Sequence, residues 1–531
     1  MTSVQLTTND SPVTPIVDAP IRPRREVLEA LSGILVGLFV SVLSTTIISS
    51  SLPVIVSDLG GSQASFTWIV TATLLTSTIS TPIWGKLADL VDRKRLIQIA
   101  LIISVVSSAF AGMANGVGIH IAFRALQGIG AGGLMALGPV LIADIISPRE
   151  RGKYMGYVGA VTGVAMVGGP VLGGFITEHF GWRWIFYLTL PFAIVAIITI
   201  QRTLRLPVSP RKRVRIDYVG AALISLGVAT LLLWVTFAGS DFAWASWQSG
   251  VMVGGALIAL IAAVMVELRS PEPLLPMHLF KNRTFVIAVI ASAAIGVSLF
   301  GSSVFLSQYM QLARGYSTMI AGLASLPTVV GMFLASTISG NLISASGRYK
   351  RIMIAGSTIL VLALASFGLV DEKTPLAAIF ASLFFVGIGV GMLMQNLVLV
   401  TQNSIEISEI GAGSSAVAFF RTMGGAMGVA ALGSVLAVRV KDELIAGLSA
   451  IGIPAGSMSG SSMPSLSELD PKLVPIVEHA YGVSVPEMFL IGAPVALIAL
   501  IALFFLREVP LGRRSGIELR EEQAAGQTVE A

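Results

Sequence analysis

The chain has 531 residues, of which 54% are hydrophobic and only 12% charged, about half the charged share of an average soluble protein, near 25%. A soluble chain so poor in charge has too little polar surface to cover itself, whereas fourteen bilayer crossings of about 20 residues each would occupy about 280 residues, close to the apolar share. The absence of cysteine excludes disulfides, thiolate metal sites and a cysteine nucleophile. The net charge of +5 reflects basic clusters between apolar runs, a membrane-topology signal and not a nucleic-acid one.

Residues 1–28 carry Pro, Asp and Thr without periodicity and are expected to form a disordered tail. The apolar run after Arg22, Arg24 and Arg25 is long and lacks a small-residue cleavage site, so it reads as a retained helix. Spans are then predicted near 30–56, 67–89, 96–114, 118–145, 153–177 and 183–203. Two follow near 217–238 and 248–267, and six more near 285–310, 318–344, 350–370, 376–402, 411–437 and 487–507. In lipid only helices or closed barrels satisfy the backbone, and runs this long and apolar mean helices. The resulting organisation is a tail (1–28), a six-helix bundle (29–205), an inserted helix pair (206–270), a second six-helix bundle (271–508) with an external loop at 439–486, and a tail at 509–531.

With the N-terminus inside, one membrane face collects Arg93–Arg95, Arg149, Arg151, Lys153, Arg211–Arg213, Arg215, Lys281, Arg283, Arg348, Lys350 and Arg351. The other face holds only Arg183, Arg314, Lys373, Arg439, Lys441 and Lys472. This bias supports an even number of spans with both termini cytoplasmic. The sequon Asn282-Arg283-Thr284 falls on the inner side, where chance explains it.

The halves repeat. Gly128-Ile-Gly-Ala-Gly-Gly-Leu-Met returns as Gly387-Ile-Gly-Val-Gly-Met-Leu-Met, Gly85-Lys-Leu as Gly340-Asn-Leu, and Gly169 and Gly173 as Gly424 and Gly428, at separations of about 255 to 259 residues. Paired halves are a common transporter construction with the substrate site between them.

The segment Gly85-Lys86-Leu87-Ala88-Asp89-Leu90-Val91-Asp92-Arg93-Lys94-Arg95 reads as a tight connection between two helices, with Asp89 and Arg93 as members of a gating network and Asp144 as the candidate partner of Arg93. Lys94 and Arg95 read as an ordinary basic loop. Arg124 lies inside a span, followed by Gln127 and Gly128; a guanidinium there costs ~2.5–3.5 kcal/mol on insertion scales and faces a partner or a wet cavity. Its counterpart in the second half is Leu383, so one half alone carries the charge. Arg421 poses the same question. Gly159, Gly163, Gly168, Gly169-Pro170, Gly173 and Gly174 load one span, which should bend and pack closely. Gln127, Gln308, Gln311, Gln395, Asn396, Gln402 and Asn403 are candidates to line a cavity, with helix–helix hydrogen bonding as the alternative role.

Together these residues resemble the major facilitator superfamily, and the fourteen-helix count resembles its drug:proton antiporter branch. The resemblance runs over nearly all of residues 30–507. It is carried by the Gly85–Arg95 loop, by Arg124 with Gln127-Gly128, by Gly169-Pro170-Val-Leu-Gly173-Gly174, by Trp182-Arg183-Trp184-Ile-Phe186-Tyr187 and by Gln308-Tyr309-Met-Gln311. It implies an all-α two-bundle fold, alternating access, proton-driven export and a central cavity, with Asp89, Arg93 and Asp144 at the inward gate and Arg124 in coupling. In the first span the family usually reads Leu-Asp-x-Thr-Ile; here it is Leu43-Ser44-Thr45-Thr46-Ile47, so the usual membrane acid is replaced by Ser44, a further cavity candidate.

The expected function is therefore export of amphipathic small molecules or drugs across the plasma membrane by a monomer, with protons as the coupling partner, no cofactor or metal, and no nucleic acid. The competing readings are a dedicated exporter of one lipid or natural product, and a non-transporting sensor or scaffold using the 439–486 loop. A primary pump or membrane enzyme is disfavoured, because the chain has no phosphate-binding Gly-x4-Gly-Lys-[Ser/Thr] loop, and His120, His179, His278 and His479 lack metal spacing.

Overall fold

The computed structural model describes residues 24–60, 63–146, 148–204, 217–238, 242–270, 273–316, 318–406, 409–451, 473–509 and 511. Every regular element among them is helical. The first half comprises α1 (Arg24–Thr46), α2 (Ile48–Asp58), α3 (Gln63–Leu90), α4 (Arg93–Gly112), α5 (Val117–Ile145), α6 (Pro148–Phe180), α7 (Arg183–Tyr187) and α8 (Thr189–Thr203). The inserted pair is α9 (Tyr218–Phe237) and α10 (Trp247–Glu267). The second half comprises α11 (Arg283–Gln308), running into a π-helical turn at Tyr309–Ala313, then α12 (Thr318–Leu323), α13 (Leu326–Ser346), α14 (Lys350–Phe367), α15 (Leu376–Ser404), α16 (Ile410–Ala450) and α17 (Val474–Phe504).

Each half has its own apolar core. One is centred on Leu31, Ile34, Leu101, Leu137 and Ile200, the other on Ile295, Leu360, Leu383, Val390 and Ala496. The helix pairings match between them: α3 and α4 flank α5 as α13 and α14 flank α15, and α1 packs on α8 as α11 packs on α17. The repeat is also visible atom by atom. A side chain at Gly128 would strike the Thr73 carbonyl, and one at Gly387 the Thr328 carbonyl. Likewise Gly132 approaches the Ser77 carbonyl and Gly391 the Met332 carbonyl, while Gly130 meets Ala100 and Ser104 as Gly389 meets Gly356 and Leu360. Removing Cβ at each point lets two backbones approach closely, the membrane substitute for hydrophobic driving force.

Among the described residues thirteen helical segments have the length and hydropathy to cross a bilayer. The fourteenth expected span corresponds to α3, which has 28 residues but carries Thr71, Thr73, Thr76, Ser77, Thr78, Ser80 and Thr81. Several of its hydroxyls bond α5. Thr73 donates to the Arg124 carbonyl (3.1 Å), Thr76 to Ala125 (2.7 Å) and Ser80 to Ile129 (3.3 Å), and Trp84 Nε1 donates to the same Ile129 carbonyl (2.9 Å). The low apolarity of α3 thus follows from its packing between helices.

Two expected boundaries are corrected. The first helix already begins at Arg24, so the end of the stretch 1–28 is helical; residues 1–23 lie outside the described residues. The stretch 439–486, expected as a loop, is helical at both ends, because α16 continues to Ala450 and α17 starts at Val474. With 41 residues α16 is about 60 Å long at 1.5 Å per residue, about twice the ~30 Å hydrocarbon thickness, so it projects well beyond the membrane. The expected span at 318–344 is present as one candidate crossing, Ile320–Ser346, with a turn at Ala324–Ser325 between α12 and α13, ahead of Pro327. At the C-terminal end, Tyr349 N donates to Glu508 Oε1 (2.9 Å) and Val509 N donates to the Tyr349 hydroxyl (2.9 Å). The remainder of 509–531, apart from Leu511, lies outside the described residues.

Candidate functional site: the interface of the two halves

At the end of the bundle that carries the basic loops, α4 starts on the N-cap of Asp92, whose carboxylate accepts from Lys94 N (3.0 Å). This cap turns the first residue of the helix, Arg93, inward, where it is only 5% exposed. Its Nη1 pairs with Oδ1 of the fully buried Asp144 near the end of α5 (2.5 Å), and its Nε donates to the Ala88 carbonyl (2.5 Å). One charge-assisted bond thereby joins α4 to α5, and a second ties α4 back to α3. Asp89 lies on the last turn of α3; its side chain falls outside the described residues. Lys94 donates to the Gln201 carbonyl (2.8 Å), holding α8.

The two halves meet directly beside this pair. Gly85 of α3 sits so close to Ser415 of α16 that a Cβ would collide with its side chain. Gln402 Nε2 of α15 donates to the Pro139 carbonyl of α5 (3.2 Å) and to Ser414 Oγ (2.7 Å). Ile410, at the start of α16, is part of the first half's apolar core. The basic end is closed by these crossings.

Deeper in the first half, Arg124 is 3% exposed. Nη1 donates to Gln127 Oε1, one turn further along the same helix. Arg124 Nε, Gln127 Nε2 and His120 Nε2 are buried without a hydrogen-bond partner among the described residues. His120 Nδ1 donates to the Ala111 carbonyl (3.0 Å), which fixes the ring. Arg421 of α16 is also buried, and no hydrogen bond or ion pair engages it among the described residues. The sequence places no acid in 93–143 or 410–441. Two guanidinium groups, one in each half, therefore stand in the membrane interior without a local carboxylate, each at ~2.5–3.5 kcal/mol on insertion scales.

The glycine-rich helix divides by role. Gly169 faces Thr46, whose hydroxyl donates to the Ala165 carbonyl (3.0 Å), at the break between α1 and α2. Ser51 bonds Thr177 Oγ1 (2.6 Å) and donates to the Gly173 carbonyl (3.1 Å), joining α2 to α6. Gly159 and Gly163 face Ser336 and Val329 of α13 across the two halves, and Pro170 faces Gly322. Gly168 and Gly174 face open space, so close packing is not their role. Nor does Pro170 end the helix, which continues from Pro148 to Phe180.

The cavity candidates separate. Ser44 is buried but donates to the Val40 carbonyl of its own helix (2.6 Å). Asn396 donates to Met392 O (2.7 Å) and Ser339 Oγ (3.4 Å), a helix–helix bond between α15 and α13. Gln395 is buried on the same helix. Gln308 Oε1 is buried without a hydrogen-bond partner at the mouth of the π-helical turn, and Gln311 lies within that turn. At the end opposite the basic loops, Asp58 accepts from Trp182 Nε1 (2.9 Å) and Arg183 Nη1 (3.0 Å), and these two bonds hold its carboxyl below the ordinary aspartate range. Tyr309 and Arg314 anchor the 371–374 turn by donating to Asp371 O (2.6 Å) and Glu372 O (2.6 Å). Two features lie outside the sequence expectations, the hydroxyl ladder of α3 and the Gln402–Pro139 crossing. The first had a visible signal in Thr73, Thr76, Ser80 and Trp84, which recur at helical spacing opposite the glycines of α5.

Two related six-helix bundles that meet at the basic end and along α6 and α13, with buried polar atoms lacking partners among the described residues, are the architecture of a membrane transporter. The Major Facilitator Superfamily sequence family matches residues 34–429, and the chain belongs to that superfamily. It is 32% identical over 529 residues to the multidrug transporter protein MdtP of Bacillus subtilis, covering 94% of this chain and 97% of that one. It is 31% identical over 504 residues to the acurin A biosynthesis cluster MFS-type transporter of Aspergillus aculeatus, covering 91% and 90%. The fold is shared with the crystal structure of the human organic anion transporter MFSD10 (TM-score 0.59, 14% identity, covering 90% of this chain and 100% of that one). It is shared equally with the proton:xylose symporter XylE (TM-score 0.58, 15% identity, 94% and 99%).

Proposed function

We propose that this transporter exports amphipathic small molecules across the plasma membrane in exchange for protons, as a monomer with both termini cytoplasmic. The carrying observation is the junction at the basic end. The Gly85–Ser415 and Gln402–Pro139 crossings join the two halves there, near the Arg93–Asp144 pair of the first half. Rocking about such a junction exposes the interior to one side at a time, which is alternating access. The basic residues at that end support its cytoplasmic placement. Arg124 and Arg421 give the passage positive charge, and the naming of similar proteins as multidrug transporters or efflux pumps supports outward movement of drug-like molecules. A dedicated natural-product exporter is the second reading, favoured by the biosynthesis-cluster name of the Aspergillus relative.

The test is transport in proteoliposomes under an imposed pH gradient, with and without an uncoupler, using a panel of fluorescent amphiphiles. Gradient-dependent movement of several unrelated compounds is the expected result. Movement of one compound alone favours the second reading, and no gradient dependence for any compound refutes proton exchange.

A further inference from the structure

The inserted helix pair, to which the exporter reading gives no task, ends at the basic face in two carboxylates. Asp217 is the N-cap of α9, and its Oδ1 accepts from Gly220 N (2.7 Å). Glu267 is the last residue of α10 and is only 2% exposed; its Oε2 accepts from Leu275 N (3.1 Å). Each carboxylate thus commits one oxygen to a backbone amide. The other two oxygens, Asp217 Oδ2 and Glu267 Oε1, are buried without a hydrogen-bond partner among the described residues. They converge. A Cβ on Gly220 would lie 2.6 Å from Glu267 Oε1 and 2.9 Å from Asp217 Oδ2, so a glycine hollow sits between them.

Two carboxylates whose unpartnered oxygens are buried against the same glycine do not both ionise cheaply, and a single shared proton relieves the repulsion. The surrounding charges agree with one proton. Lys86 of α3 acts on Glu267, and the segment packed below the pair contributes the Leu274 and Leu275 amides. Arg269 is exposed and lines an open groove beside Asp217 with Val219, Ala262, Met265 and Val266. The α16 residues in the apolar cluster shared with α9, Phe419, Phe420, Met423, Ala426 and Met427, are uncharged. Arg215 precedes Asp217 in the chain and lies outside the described residues. Two carboxylates and the Lys86 ammonium carry one net negative charge, and one proton brings the set to neutrality.

We propose that Asp217 and Glu267 form a proton-binding site at the foot of the inserted helix pair, loading from and releasing to water through the groove beside Asp217. Lys86 immediately follows Gly85, the residue pressed against Ser415, so proton occupancy changes the charge next to the crossing of the two halves. The role in transport rests on the proton-exchange reading; the binding of a proton does not.

The experiment titrates the purified full chain by infrared difference spectroscopy between about pH 5 and pH 9, following the protonated-carboxyl band, and compares Asp217→Asn and Glu267→Gln. Both variants keep an oxygen for the backbone amide, and Asn is a good N-cap, so folding is preserved. The wild type is expected to show a titrating band that each amide variant removes and that Glu267→Asp restores in part. Gly220→Ala, which fills the hollow, should shift it. In parallel, downhill transport without a gradient should vary with pH in the wild type, by up to about tenfold per pH unit for one titrating group, and by less than about twofold in either amide variant. A band unchanged in both amide variants, or absent from the wild type, overturns the proposal whether or not the protein transports. Absence of transport with the band present and sensitive to both variants refutes the exporter reading and leaves the site standing.

Discussion

Replacing Asp144 by Asn tests the gate most directly. The change keeps size and one acceptor but removes the charge that faces Arg93 at 2.5 Å inside a site where the two side chains are 5% and 0% exposed. Leaving one partner of a buried ion pair without its counter-charge costs about 3–5 kcal/mol. The pair lies beside the crossing of the two halves, so this cost falls on the state closed at the basic end, while in the open state water reaches Arg93. The closed-to-open ratio should then fall by about two to three and a half orders of magnitude, at about 1.4 kcal/mol per factor of ten. The chain contains no cysteine, so a single Ser415→Cys reports on the junction. That side chain lies against Gly85, where no reagent fits while the halves touch. Its rate of modification by a water-soluble maleimide should rise at least tenfold when Asp144→Asn is added. Combining Arg93→Gln with Asp144→Asn removes the orphaned charge and should recover most of the protection. A rate within twofold of the parent for Asp144→Asn refutes the gate.

Arg124→Ala should lower substrate transport about 10- to 100-fold, since a charge-assisted hydrogen bond of about 1.5–3 kcal/mol to Gln127 and the interior charge are lost together; an unchanged rate in vesicles with equal protein content would contradict the assignment. Gly128→Ala and Gly387→Ala each push a methyl into a backbone carbonyl, of Thr73 and Thr328, and should cost about 1–3 kcal/mol in thermal or denaturant melts. Gly174→Ala, with nothing within 4 Å, should be neutral or up to about 1 kcal/mol stabilising from helix propensity, and equal losses at all three sites would refute the packing distinction. Asp58, held below the ordinary range by Trp182 and then Arg183, contributes stability that is present above its unfolded pKa, near 3.9, and is lost as pH falls through its lower folded value. Asp58→Asn should therefore flatten the acid limb of the melting temperature between about pH 2 and pH 5, and an acid limb identical to wild type would refute the contribution of these bonds.

Solvent, class of fold and duplication are legible in the chain alone. Apolar runs of spanning length, basic residues gathered on one face and glycines recurring near 255-residue intervals are written along the chain, because lipid imposes its length and polarity on each helix separately. Arg124 and Arg93 were legible for the same reason, since a charge within or beside an apolar run stands out. Asp144 as the partner of Arg93 was legible too, but the other partners were a different matter. Ser44 reads as a cavity residue until its bond to the Val40 carbonyl is seen, and α3 reads as a weak span until its hydroxyls are found on the α5 carbonyls. The Gln402–Pro139 crossing joins residues 263 positions apart, and the facing of Asp217 and Glu267 depends on how two inserted helices end side by side. Such contacts are decided by the rotation and depth of each helix against its neighbours, which packing fixes in three dimensions and which one-dimensional periodicity in a uniformly apolar chain leaves undetermined.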